Sequence, residues 1–157
     1  MFINNRQFIK DLGVNTSATS TPTYSNLCVA SSIALNVETE KQDFNVFCDA
    51  LKRHLTTGLD IKLSSTIKLD VENAGVIALL DKVHTAITSG TVTQFNNVDI
   101  QFSVLSGYSN GVFEYTQYTA KATMSVSGDL GGEAENVSEI PVEFQLNGTA
   151  TPTVVSG

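Results

Sequence analysis

Apolar and polar residues alternate along much of this chain, and the clearest alternation runs from Leu59 to Val71. Nearly every second residue there is apolar and the residues between them are polar. Such a period of two predicts a β-strand with one face in the core and the other in water. At about 3.3 Å per residue the strand reaches roughly 40 Å. The segment contains no residue that favours a tight turn, so we predict one long strand.

A single segment, Asn73 to Ile87, has helical spacing instead. Its apolar residues share one face of a helix: Val76, Leu79, Leu80, Val83 and Ile87. Asn73 suits the N-cap because its side-chain oxygen can accept from a free amide of the first turn, and Gly90 suits the stop. We therefore predict one α-helix, over about 73–88, that lies on a sheet.

Two more alternating segments flank Asn110 and Gly111 and predict a hairpin. A two-residue loop would set Phe102 opposite Thr119, an apolar face against a polar one, whereas a three-residue loop with a left-handed Gly111 sets Phe102 opposite Tyr118. We predict the three-residue loop. The same register places Ile100 opposite Ala120 and Val98 opposite Ala122.

The first half of the chain gives weaker patterns. Met1 to Thr23 has a short apolar start and then a Ser- and Thr-rich stretch, which predicts a mobile arm. Tyr24 to Glu40 predicts a strand, and the polar residues Thr39 to Asp43 predict a loop. Phe44 to Leu55 follows; we favour a strand there, although Asn45 to His54 also fits a helical turn.

The last third of the chain is acidic. No Lys or Arg follows Lys121, and the glycine-containing segment Gly128 to Asn136 predicts a loop before a final alternating strand from Ile140 to Leu146. The whole chain has a formal charge of −7 and no cluster of cations. Tight binding of nucleic acid is therefore not expected, because such binding needs clustered Lys and Arg.

Length and cysteine content favour one domain that folds in a cytoplasm. The chain has 157 residues, 41% of them hydrophobic, which is enough for one core over 1–157 without disulfides. Cys28 and Cys48 are expected to be small core side chains. No segment has the length and composition of a signal peptide or a membrane span.

Catalytic chemistry is not indicated. Gly107 to Gly111 matches G-x-S-x-G, but a strand follows it and both His54 and His84 precede the serine, contrary to the hydrolase pattern. We expect both histidines to be solvated. An acid pair for glycoside chemistry could be drawn from Asp99, Glu114 or Glu143, with nothing to single one out. No metal, phosphate or dinucleotide motif is found, so we expect no enzyme and no cofactor.

Taken together, the chain resembles the major tail tube proteins of long-tailed bacteriophages and related bacteriocins, of the non-contractile kind. The resemblance covers most of the length and is carried by two stretches. In CDALKRHLTTGLDIKLSSTIKLDVENAGVIALLDKV a long alternating strand runs into the lone helix. In SVSGDLGGEAENVSEIPVEFQLNGTATPTV an acidic Gly-Gly turn precedes the final strand and an Asn-Gly turn.

The resemblance implies a mainly β fold, an antiparallel β-sandwich or partial barrel with one flanking helix. It also implies six copies per ring, stacked rings, and DNA passing through the lumen without being held. The implied partners are further copies of the chain, a tape-measure protein, a tail terminator and distal tail or baseplate proteins. The implied location is the virion tail, assembled in the host cytoplasm with no membrane partner. The segments 1–23 and 39–43 match the arm and the loop used in assembly.

Strand parity gives the residues expected to face such a lumen. They lie on the polar faces of two predicted strands: Asp99, Gln101, Ser103, Glu143 and Gln145. The alternative is that these faces look outward to solvent. A second class of function is also open, namely a carbohydrate- or receptor-binding β-sandwich of a phage fibre or baseplate. The absence of Trp and the presence of only four Tyr argue against it.

Overall fold

A computed structural model of the protein describes residues 1–17, 20–27, 30–44 and 53–156. These residues form eight strands and two α-helices. A 3₁₀ turn, Thr93–Phe95, also lies between the second helix and the fifth strand. In chain order the main elements are α1 (Asn5–Phe8), β1 (Ile9–Asn15), β2 (Tyr24–Asn26), β3 (Ala30–Phe44), β4 (Arg53–Lys68), α2 (Ala74–Ser89), β5 (Val98–Ser109), β6 (Val112–Val126), β7 (Glu139–Leu146) and β8 (Thr151–Ser156).

All eight strands belong to one antiparallel sheet. Its order is β2-β1-β5-β6-β7-β4-β3, and β8 pairs with β6. β7 and β8 pair with the same edge of β6, β7 along residues 122–126 and β8 along residues 114–119. The sheet curls so that β3 also contacts β1. The predicted mainly β, antiparallel fold is therefore confirmed.

The core lies on the inner face of the curled sheet. Strands from both halves of the strand order contribute side chains to it, including Leu12, Leu63, Ile100 and Phe144. The predicted helix is confirmed as α2, which adds Val76 and Leu79 to this core and contacts β1 and β2.

Both predicted ends of α2 are also confirmed. The Asn73 side chain accepts from the amides of Gly75 and Val76, and Gly90 ends the helix in the left-handed conformation. The short helix α1 was not predicted.

The predicted strand from Leu59 to Val71 corresponds to β4, which begins earlier and ends at Lys68. The loop predicted over Thr39 to Asp43 is wrong, because these residues continue β3 and pair with β4 from Leu59 to His54. Their polar character has a different cause. This end of the hairpin extends beyond the body of the protein, so neither of its faces is buried. Most of the segment from Phe44 to Leu55, residues 45–52, lies outside the described residues.

The arm predicted over Met1 to Thr23 is wrong for its first part, because β1 lies inside the sheet between β2 and β5. Leu12 and Val14 are each only 1% exposed. The signal was hidden by a bulge at Asp11, whose φ is +56° and which interrupts the alternation of apolar residues. The single strand predicted from Tyr24 to Glu40 is likewise two strands, β2 and β3.

The predicted register of the β5–β6 hairpin is confirmed, since Phe102 pairs with Tyr118, Ile100 with Ala120 and Val98 with Ala122. The predicted three-residue loop is wrong. Ser109 pairs with Val112, and the two residues between them both have positive φ, as a two-residue hairpin turn requires. A bulge between Leu105 and Gly107 supplies the extra residue that shifts the register.

Candidate assembly surfaces

The outer face of the sheet is polar, and it carries four of the five residues predicted to face a lumen. Asp99 and Gln101 lie on β5, and Glu143 and Gln145 lie on β7, with β6 between the two strands. The Gln145 amide donates to the Asp60 carboxylate at 2.9 Å, which extends the polar face onto β4. Glu143 lies opposite Ser125 and Ser64 on the neighbouring strands.

Asp99 is the centre of a small polar cluster on this face. Its carboxylate forms an ion pair with the Lys121 ammonium at 3.3 Å and accepts from the Asn15 side-chain amide at 3.3 Å. Tyr24 lies nearby on β2. Burial, and after it the negative charge of Asp99, raise the pKa of the Tyr24 phenol. The cluster joins β1, β2, β5 and β6, and the lysine charge is balanced rather than free.

The fifth residue predicted to face a lumen, Ser103, is buried instead. Only 3% of its surface is exposed, and contacts with other copies can only reduce that fraction. It lies opposite Lys10 and Gln117, and next to them the Tyr115 hydroxyl donates to the Gln7 carbonyl while the Lys10 ammonium lies over the Tyr115 ring. The first turns of the chain therefore cover the polar face here, which the sequence did not indicate.

The sheet has edges without a partner strand. β2 and β3 end the strand order, and β8 pairs only with β6 among the described residues. β3 is the longest of these edges, with 15 residues and no proline. Its outer half carries charged residues of both signs at Glu38, Glu40 and Lys41, which suits an edge that must not aggregate at random.

An apolar groove of about 550 Å³ opens where β3 and β4 extend past the strands that cover them. One wall is formed by Leu35, Val37, Leu59 and Ile61, and the other by Phe102, Val104 and Tyr118. Val37 and Leu59 are 55% and 62% exposed. The groove is thus a continuation of the core that the single chain leaves uncovered.

Features that would indicate catalysis are not brought together in the part of the chain that the structure describes. No group of three or more His, Cys, Asp and Glu residues there could hold a metal ion. His54 pairs with the Asp43 carboxylate on the exposed hairpin, and the G-x-S-x-G match lies in the β5–β6 turn. Among the described residues, no helix combines the length and hydrophobicity needed to cross a bilayer.

No protein-family model and no curated protein sequence matches the chain. Comparison with solved structures finds similar folds. A chain from the tail of an empty gene transfer agent particle, refined with helical and C6 symmetry, is similar with a TM-score of 0.59 and 10% identity. The similarity covers 97% of this chain and 99% of that one.

Two more solved structures agree. A chain of the SPP1 tail tube has a TM-score of 0.56 and 11% identity, over 96% of this chain and 78% of that one. A chain of a native gene transfer agent virion has a TM-score of 0.51 and 9% identity, over 91% and 95%. At such low identity the similarity is one of fold. The resemblance stated from the sequence is confirmed at that level: this chain has the fold of tail tube proteins.

Proposed function

We propose that this protein is a structural subunit of a virus-like tail, in which six copies close into a ring and stacked rings form a tube that DNA passes through. One observation carries the proposal, namely the long edge of β3, which pairs with no strand other than β4 among the described residues. Two similar structures are a tail refined with C6 symmetry and a tail tube, which supports it.

Edge pairing explains how copies would join. A strand edge presents a row of amide and carbonyl groups that another chain can pair with, and closing the strands of several copies into one barrel leaves no edge. β3 of one copy is 15 residues long, and β8 offers a second unpaired edge of six residues. Pairing β3 of one copy with an edge of the next repeats around a ring.

The polar face suits a passage for DNA. Asp99, Gln101, Glu143 and Gln145 would line it with carboxylates and amides, none of which offers a phosphate a positive charge. Two of the lysines on the same face are already paired, Lys121 with Asp99 at 3.3 Å and Lys62 with Asp60 at 3.8 Å, whereas Lys68, opposite Glu139, is exposed. A duplex is therefore not held tightly, because tight binding needs clustered free cations.

The remaining expectations follow from the same assignment. The partners are a tape-measure protein, a tail terminator and distal tail or baseplate proteins, and the location is the virion tail after assembly in the host cytoplasm. No membrane partner and no enzymatic activity belong to this role. A carbohydrate- or receptor-binding module is the alternative, and an assembly that never forms would favour it.

Amide hydrogen exchange tests the edge pairing, with dispersed and assembled protein compared strand by strand. We expect exchange to slow in the described part of β3 and in β8 on assembly. β7 provides a control within the chain, because both of its edges are already paired. Slowing confined to α2, with β3 and β8 unchanged, would contradict assembly through these edges.

A further inference from the structure

Three apolar residues before α1 are exposed to solvent. A capping box fixes where α1 begins, because the Gln7 amide donates to the Asn4 side chain at 3.0 Å and the Asn4 amide donates to the Gln7 side chain at 2.9 Å. The preceding residues, Met1, Phe2 and Ile3, extend from this anchored turn, and Phe2 is fully exposed. Consecutive exposed apolar side chains of this size mark a contact surface more often than a random patch.

The apolar groove described above is a suitable site for them. None of the residues that line it is charged. Its walls are aliphatic side chains with the Phe102 and Tyr118 rings, together with residues 148–150 between β7 and β8. Its volume of about 550 Å³ accommodates two or three large apolar side chains. In the single chain the groove and the segment Met1–Ile3 are exposed at the same time, so the segment does not cover the groove of its own chain.

Charge favours a second copy as the source of the segment. The first ten residues carry Arg6 and Lys10 and no carboxylate, whereas all 16 Asp and Glu residues lie after them. The start of one copy is therefore attracted to the acidic remainder of another.

We propose that Met1–Ile3 of one copy inserts into the groove between β3–β4 and β5–β6 of a neighbouring copy. The proposal rests on the proposed function, because the tube supplies the neighbour. It adds an apolar contact, specified by side chains, to the backbone pairing of strand edges. Because the groove is a continuation of the core, the inserted side chains complete that core.

Cross-linking of mixed variants tests this insertion in the full chain. One variant carries Phe2→Cys and the other carries Leu59→Cys, with Cys28→Ala and Cys48→Ala in both, and a short bismaleimide links thiols that lie close together. The matched control replaces Leu59→Cys by Val71→Cys, an exposed apolar residue outside the groove. We expect linked dimers with Leu59→Cys at a yield several-fold above the control.

Competition makes the result specific. An unlabelled chain that lacks both introduced cysteines, present in about tenfold excess, should lower the yield about tenfold by mass action, because its grooves and segments take the place of those in the labelled copies. Equal yields from Leu59→Cys and Val71→Cys would overturn the proposal. So would links that form only within a chain that carries both Phe2→Cys and Leu59→Cys, since the segment would then occupy its own groove.

The outcome is separable from that of the proposed function. Sixfold rings without groove cross-links would refute the insertion and leave the tube role intact. Groove cross-links in a protein that never forms rings would refute the tube role and leave the insertion intact.

Discussion

Phe102 lies directly opposite Tyr118 across β5 and β6, with ring centroids 5.6 Å apart. The two-residue turn alone would not give this pairing. The extra residue in the bulge between Leu105 and Gly107 moves β5 by one position, and this shift sets apolar residues of β5 against apolar residues of β6. The bulge and the turn together therefore determine which face of the hairpin enters the core.

The turn itself is open to test through its backbone. Gly111 has a φ of +79°, and a Cβ there would meet nothing within 4 Å. Gly111→Ala should therefore lower the free energy of unfolding by about 1–2 kcal/mol from backbone strain alone. Gly58→Ala is the matched control, because Gly58 has an ordinary φ and its nearest contact is the end of the Glu40 side chain. Equal losses in both variants in urea unfolding would contradict the assignment of strain.

The N-cap of α2 should contribute measurable stability. Asn73 accepts from the amides of Gly75 at 2.9 Å and Val76 at 3.3 Å and donates to the Asn26 carbonyl at 3.0 Å. We expect Asn73→Ala to cost about 1–2 kcal/mol in the free energy of unfolding. The exposed residue Asn97 offers a control, and Asn97→Ala should stay within about 0.5 kcal/mol. A change as small at position 73 would show that the cap is not formed.

Tyr24 predicts a loss of stability at high pH. Its raised pKa means that the unfolded chain releases the phenol proton before the folded chain does. The stabilisation is therefore complete below the ordinary pKa of 10.0 and is lost as the pH rises through the folded-state pKa. Above pH 10.0 the free energy of unfolding should fall more steeply in the wild type than in Tyr24→Phe. Parallel curves for the two proteins would contradict this.

The charge of the polar face predicts how assembled tubes treat DNA. Glu143→Lys places a cation on that face between Ser125 and Ser64. Assembled tubes of this variant should retain duplex DNA in a filter assay, with an affinity that falls as salt rises, whereas wild-type tubes should not. Glu135→Lys, in the exposed loop, makes the same change in net charge and serves as the control. Equal retention by both variants would contradict a lumen lined by the polar face.

Local signals in the sequence predicted much of the fold. The helix α2 follows from the spacing of its apolar residues. Its ends follow from Asn73, a residue type preferred at N-caps, and from Gly90, a residue type preferred where the backbone is left-handed. The register of β5 and β6 also followed, because only one register matches apolar faces. The loop was wrong because the bulge near Ser106 carries no residue type that distinguishes it.

Features that depend on distant parts of the chain were missed. β1 was not recognised as a strand because the bulge at Asp11 breaks its alternation, and its place between β2 and β5 is set by contacts with β5. The sequence of Thr39 to Asp43 does not indicate a strand, because a strand with both faces in water shows no alternation of apolar and polar residues. The burial of Ser103 could not be predicted either, because Tyr115 and α1, which cover the polar face there, come from distant parts of the chain.

Electron microscopy of the purified protein tests directly whether copies form rings and tubes. We expect rings with sixfold symmetry that stack into filaments of constant diameter with an open lumen as the concentration rises. A sample that stays monomeric at high concentration, or that assembles without sixfold symmetry, would contradict it.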